Sequence, residues 1–244
     1  MKRTAVIAAM AAELEPLVRG WTRESRNGVD LWRRRHGDDE WIAACAGMGV
    51  NAASRAFAEI ERDGPIVSVV STGWAGALKE GFAAGLAYGV SCVVDAGSGE
   101  RYPAHSPTGG SCLVTSPTVA DHAEKRRLGS AFDADLVDME ASGIARLAAA
   151  RGIPFHCVKG VSDGLDERLP DFSCFITADG KFQTARFVLF AILRPWLWAS
   201  LARMGLNGRK AAQGIREAML EILDPRKTPG SPDGPSGPGR GATG

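Results

Sequence analysis

The chain lacks a charge excess of either sign: 29 Lys and Arg stand against 28 Asp and Glu, a formal net charge of +1. That excludes a highly charged disordered chain and argues against a globally basic nucleic-acid binder. No C-x-x-C pair occurs. The five cysteines, Cys45, Cys92, Cys112, Cys157 and Cys174, are scattered and odd in number. They read as reduced, buried thiols of a cytoplasmic protein and not as a disulfide framework. The four His are equally scattered, which leaves no metal constellation. The apolar run near the N-terminus begins as a signal peptide would, but it is short and is followed by Glu13 and Glu15. A first strand is the better reading. Gly47-Met48-Gly49 has neither the P-loop Lys nor the full G-x-G-x-x-G spacing, so both nucleotide-phosphate readings are rejected.

What is present is an α/β pattern. A length of 244 residues with 45% hydrophobic and 23% charged residues suits one large domain. Short apolar or β-branched runs at 4–10, 28–36, 40–46, 66–72, 88–96, 113–115 and 155–161 read as strands, and 136–140 ends a strand or opens a helix. Helical patterns lie at 13–19, 51–62, 120–128 and 141–151, and residues 97–110 read as a loop. The expected architecture is a single-domain mixed β-sheet flanked by helices, over residues 1–183. From residue 184 the chain turns rich in large apolar residues, broken at Arg194-Pro195, and a second amphipathic helix follows at 209–223. Residues 184–224 are read as an amphipathic helical extension. Residues 225–244, rich in Pro and Gly, are read as a disordered tail.

In open α/β sheets the site lies at the carboxyl ends of the strands. Gly47-Met48-Gly49, Gly73-Trp74-Ala75-Gly76, Met139-Glu140 and Ser162-Asp163 all fall at expected strand ends. Each carboxylate alone has a plain structural reading. Glu13 suits a solvated helix start, Glu140 a helix cap, and Asp163 an N-cap or Asx turn. Gly73 to Gly76 reads equally as an ordinary strand-to-loop turn. Together, three carboxylates at strand ends are more specific, because two can divide acid and base work while the third binds hydroxyls.

These stretches resemble the nucleoside phosphorylase superfamily, and within it the methylthioadenosine/S-adenosylhomocysteine nucleosidases. The matching segments are Ala8 to Glu13, Ala46 to Gly49, Ser71 to Gly76, Val137-Asp138-Met139-Glu140-Ala141 and Val161-Ser162-Asp163, in the family's order. The resemblance implies cleavage of a purine N-glycosidic bond with no cofactor, or with phosphate as co-substrate in a phosphorylase. It implies that Asp163 protonates the leaving adenine at N7 and that Ser162 orients it. It implies that Glu140 holds the ribose hydroxyls, that Met139 packs on the sugar, and that Glu13 positions or deprotonates the attacking water. It places Met48, Gly49, Gly73, Trp74, Thr118 and Val119 around the substrate. As an acid, Asp163 would need burial or a neighbouring carboxylate to hold its proton.

Two departures stand out. Trp74 occupies a position where the family's hydrolases carry a small Ser, and the segment Ser116 to Val119 lacks the usual Phe. No clear phosphate-binding Arg follows the first strand, which disfavours a phosphorylase. The added segment with Phe187, Phe190, Trp196 and Trp198 among Arg186, Arg194 and Arg203 is similar to the hopanoid-biosynthesis-associated branch. That similarity implies a lipid-linked substrate, adenosylhopane converted to ribosylhopane, and peripheral contact with anionic membrane. The alternative reading of the segment is a packing or dimer-contact helix; the family likeness implies a homodimer. Two other functions stay open: a phosphate-dependent phosphorylase, and a non-catalytic nucleoside-binding protein with Trp74 blocking the nucleophile. Nucleic acid is not an expected partner. The charge is unevenly divided: residues 184–227 carry eight Lys and Arg against three Asp and Glu, whereas residues 1–183 carry 20 against 24.

Overall fold

The computed structural model describes residues 2–106, 110–167, 172–177 and 179–223. The stretch 225–244, expected to be a disordered tail, lies outside them. In chain order the elements are β1 (Lys2–Ala8), α1 (Ala11–Val18), β2 (Thr22–Arg26), β3 (Val29–His36), β4 (Asp39–Cys45), α2 (Val50–Glu61), β5 (Ser68–Ser71) and β6 (Trp74–Ala77). Then come β7 (Ala87–Asp95), β8 (Arg101–Pro103), β9 (Ser111–Thr115), α3 (His122–Phe132), β10 (Leu136–Asp138), α4 (Ala141–Arg151) and β11 (Phe155–Asp163). Two helices close the described chain, α5 (Thr184–Ile192) and α6 (Trp198–Leu223), with a 3-10 turn at Pro195–Leu197 between them.

All eleven strands join one mixed sheet in the order β2-β3-β4-β1-β5-β11-β6-β10-β9-β7-β8. β11 also pairs with β7, so β11, β6, β10, β9 and β7 close into a small ring at one end of the sheet. β1, β5 and β11 run parallel through the centre. Their runs Ala5-Val6-Ile7, Val69-Val70 and Cys157-Val158 are inaccessible to solvent, as strands covered on both faces must be. α2 and α4 cover one face through Ala56, Phe57, Ile60, Ile144 and Ala148. Gly143 on α4 lies against Val50 at the start of α2: a Cβ there would stand 2.5 Å from Val50 Cγ1. Small residues are what let the two helices touch.

Several elements differ from the sequence reading. Residues 74–77 form a strand and not a turn, because β6 finds partners on both sides, β10 and β11. β2 and β8 are edge strands of polar sequence, with no apolar alternation to announce them. Cys174 is exposed, and Cys92 and Cys112 are only part-buried, so the buried-thiol reading holds for Cys45 and Cys157.

The C-terminal segment is two unlike halves on one helix. α6 runs unbroken for 26 residues. Its second half buries Ala211, Ala212, Ile215 and Met219 against β11 and α1. Gly160 of β11 makes the room, since a Cβ there would sit 2.7 Å from Ala211 Cβ. Its first half and α5 leave Leu189, Ile192, Leu193, Trp196, Trp198 and Leu206 exposed. No single helix among the described residues is long and apolar enough to cross a membrane, and the two helices are bent by 106°.

Ile215→Ala is expected to destabilise the whole domain by roughly 2–5 kcal/mol, as for a large buried aliphatic side chain. Urea denaturation followed by circular dichroism measures this. A cost below about 1 kcal/mol, the level of an exposed site, would show that α6 is not part of the central core.

Candidate active site

The carboxyl ends of β1, β10 and β11 and the start of β6 surround a cavity of about 480 Å³. Glu13, Met48, Trp74, Thr118, Val119, Met139, Glu140, Ser162 and Asp163 all line it. Gly49 and Gly73 sit behind the wall and act on it through the backbone.

Glu13 stands in the first turn of α1, where the helix dipole favours an acid. It does not face solvent, being 3% exposed. Its Oε2 accepts from the Met10 N–H at 2.8 Å, and its Oε1 accepts from the Trp74 N–H at 2.8 Å. Gly73 makes the second bond possible. Its φ of +121° is a glycine conformation, and a Cβ there would fall 2.9 Å from Glu13 Oε1. Desolvation raises the Glu13 pKa, opposed by those two N–H groups and by the charge of Lys159.

Glu140 precedes α4 but does not cap it. That task falls to Asp138, whose Oδ2 accepts from the Ala141 N–H at 2.9 Å. The Glu140 carboxyl turns into the cavity, and its Oε1 accepts from the Gly49 N–H at 2.7 Å. Burial, then the nearby charge of Asp138, lifts its pKa to about 8. Asp138 in turn is paired at 2.8 Å with Lys159, a fully buried ammonium that also donates to the Thr72 carbonyl.

Asp163 ends β11, and the register of β11 against β6 slips between Val161 and Asp163. Such a bulge re-aims a side chain. Asp163 Oδ1 accepts from the Ser162 hydroxyl at 2.6 Å. Oδ2 accepts from the ammonium of Lys125 on α3. The sequence reading asked for burial or a neighbouring carboxylate; Asp163 is 4% exposed, and the neighbour found is a cation. Lys125 is 2% exposed, and no sequence signal marked it, because a Lys on a polar helix reads as a solvated face.

Trp74 does not fill the space beside Glu13. Its indole N–H donates to the Gly208 carbonyl of α6 at 3.2 Å, and the ring lies on Gly208, where a Cβ would be 3.1 Å from it. The indole is a side wall of the cavity. The missing Phe near residue 118 is replaced from elsewhere: Phe172, Phe182 and Phe187 line the mouth and pack edge or tilted against one another. The turn bearing Phe182 is held by Gly180, whose carbonyl accepts from the Met48 N–H at 2.8 Å. Four Phe within residues 172–187, just past Ser162-Asp163, are the signal that could have located this wall. Val188, Met204, Gly205 and Gly208 continue it, so the cavity opens onto the exposed apolar face of α5 and α6.

The raised Glu140 has a consequence for stability. Its carboxyl ordinarily titrates near 4.5 and here near 8. Between those values the folded state keeps a proton that the unfolded state has lost, so stability must fall as pH rises. Glu140→Gln is expected to remove a slope of up to about 1.4 kcal/mol per pH unit over that window. Urea midpoints at pH 5, 6, 7 and 8 measure it. Parallel profiles for wild type and variant would refute a protonated, buried Glu140.

Residues 89–194 match the model of the Phosphorylase superfamily. No curated protein matched in the sequence comparison. Among solved structures, the chain is similar to 5′-methylthioadenosine nucleosidase of Arabidopsis thaliana, with a TM-score of 0.71 and 18% identity over 91% of this chain and 95% of that one. It is similar to the 5′-methylthioadenosine/S-adenosylhomocysteine nucleosidase of Helicobacter pylori bound to butyl-thio-DADMe-Immucillin-A, at 0.68 and 14% over 92% and 99%. It is similar to futalosine hydrolase of the same organism, at 0.69 and 15% over 92% and 98%. The chain therefore has the nucleoside phosphorylase/nucleosidase fold, a mixed sheet flanked by helices with a helical C-terminal segment.

Proposed function

We propose that the protein is an N-glycosidase that releases adenine from a 5′-substituted adenosine. The observation that carries this is the convergence of Glu13, Glu140 and Asp163 on one apolar-walled cavity. A glycosidic bond to a purine breaks when the base is protonated and the sugar is stabilised as an oxocarbenium-like cation. Asp163, beside Ser162, is the group through which N7 receives its proton. Glu140 takes the ribose hydroxyls, with Met139 against the sugar. Glu13, held by two backbone N–H groups, faces the nucleophilic water. A buried carboxyl whose pKa is raised by desolvation is a better base toward that water than an exposed one. Phe172 and Phe182 offer their rings to the base.

The substrate's 5′ group is the finer part of the proposal. The cavity continues past Phe187, Val188 and Met204 onto a face where Leu189, Leu193 and Trp196 are 61%, 65% and 72% exposed. Arg186, Arg203, Arg209 and Lys210 are exposed on the same helices. Apolar side chains ringed by cations suit an interfacial helix pair on anionic lipid. This supports a lipid-linked adenosine, adenosylhopane being the form the family likeness suggests, with the enzyme peripheral to the membrane. The phosphorylase reading is weaker, because no Arg lines the cavity among the described residues.

Asp163→Asn is expected to lower adenine release by about 10²–10⁴-fold, the usual worth of a general acid. The assay compares methylthioadenosine, S-adenosylhomocysteine and a hopane-linked adenosine, with and without phosphate. An unchanged rate in the variant sinks the mechanism, and a strict phosphate requirement reverses the choice of nucleophile. Wild-type protein is expected to sediment with phosphatidylglycerol vesicles and Trp196→Ser/Leu193→Ser to remain in the supernatant. Wild-type protein that ignores the vesicles refutes the membrane reading.

A further inference from the structure

Lys125 has no part in the reaction as drawn so far, yet it is among the least exposed charges in the molecule. Its side chain is 2% exposed, and it lines the same cavity. Its ammonium has three N–H donors. One goes to Asp163 Oδ2 and one to the Gly164 carbonyl at 2.7 Å. The fold makes specific room for the meeting. At Gly76 a Cβ would stand 3.1 Å from Lys125 Cε and 3.2 Å from Asp163 Oδ2. The Ser162 hydroxyl lies 2.6 Å from Oδ1 and 3.3 Å from the Ala75 carbonyl, so both oxygens of Asp163 have a partner. Lys125 aims an N–H at Asp163 from inside the cavity wall and is a store of protons beside it.

We propose that Lys125 supplies the proton that leaves with the base, passing it through Asp163. The inference rests on the base-releasing reaction proposed above. As the C1′–N9 bond breaks, its electron pair goes to the purine. A proton leaves Nζ, crosses Oδ2 of Asp163 and ends on N7. The N–H bond pair stays on Lys125 as the amine lone pair, and solvent returns the proton once the products have left. Other charged and titratable groups surround the pair. Asp138, Glu140 and Glu13 face the cavity from β10, the start of α4 and α1. Lys159 on β11 is committed to Asp138. On α3 itself, His122 contacts the Leu165 carbonyl and Arg126 pairs with Asp166. Arg203 of α6 faces Glu167 at 3.6 Å.

The test uses full-length wild type, Lys125→Met and Lys125→Arg, with two substrates. One is the adenosine that the wild type turns over best. The other is 4-nitrophenyl β-ribofuranoside, whose leaving group departs as an anion and needs no proton. Lys125→Met is expected to lose about 10²-fold or more in kcat for adenine release while keeping nitrophenol release within a few-fold of wild type. Lys125→Arg keeps a cation beside Asp163, but a guanidinium does not give up its proton in this range, so it is not expected to restore adenine release. A wild type that does not cleave the riboside leaves the pH profile of kcat to decide. Because an ammonium and a carboxyl differ in acidity, the alkaline limb of adenine release should move when Lys125 is replaced by Met. Adenine release by Lys125→Met within threefold of wild type, equal loss on both substrates, rescue by Arg, or parallel pH profiles would each overturn the proposal. A wild type that frees no base from any nucleoside overturns the proposed function itself, and this inference falls with it.

Discussion

Lys159 sits at the point where the sheet changes from an open layer to a closed ring. It is fully buried in β11, between the pairings of that strand with β5, β6 and β7. An ammonium so placed would be strongly disfavoured without a partner. Asp138 supplies the partner at 2.8 Å, and its negative charge holds the Lys159 pKa above the ordinary range despite burial. Asp138 also accepts from Thr115 Oγ1 and from the N–H of Ala141. One ion pair thus ties β11, β10, β9 and the start of α4 together. The same positive charge acts on Glu13 and Glu140. Three buried acids in one cavity are tolerable because a cation lies under them.

The electrostatics divide the cavity into two ends. Glu13 and Glu140 form no ion pair among the described residues; burial raises both, opposed by the charge of Lys159. Asp163 instead bonds directly to Lys125. Backbone N–H groups hold the first two acids, and side-chain donors hold the third. The base release proposed above would use this asymmetry, since one end must accept developing positive charge while the other delivers a proton.

The C-terminal helix does two jobs that the fold keeps on separate halves. Ala211, Ile215 and Met219 complete the core beside β11 and α1. Gly208 receives the Trp74 ring, and Met204 and Gly205 reach the cavity wall. Leu206, between Gly205 and Gly208, is exposed, and so is Trp198 at the start of the helix. A substrate with an apolar 5′ arm would leave the cavity along this helix, which links the site to the surface that carries the basic charge.

The sequence by itself determined the parallel strands, the strand-end positions of Glu13, Glu140 and Asp163, and the break at Arg194-Pro195. Those follow from local pattern: β-branched runs, small-residue turns and a Pro without an N–H. It could not tell a capping Glu140 from a site Glu140, because the choice depends on Asp138 taking the cap and Gly49 offering an N–H from 91 residues away. It misread residues 74–77 as a turn, since a four-residue strand is defined by its partners. It hid Lys125, whose helix is polar by composition and whose chain tip is buried where Gly76 lets it meet Asp163. It left Trp74 in conflict with a water site until Gly208, 134 residues on, gave the ring a place to lie. Local pattern sets which residues stand at strand ends, whereas protonation state, pairing and room depend on contacts between distant segments that only the closed sheet brings together.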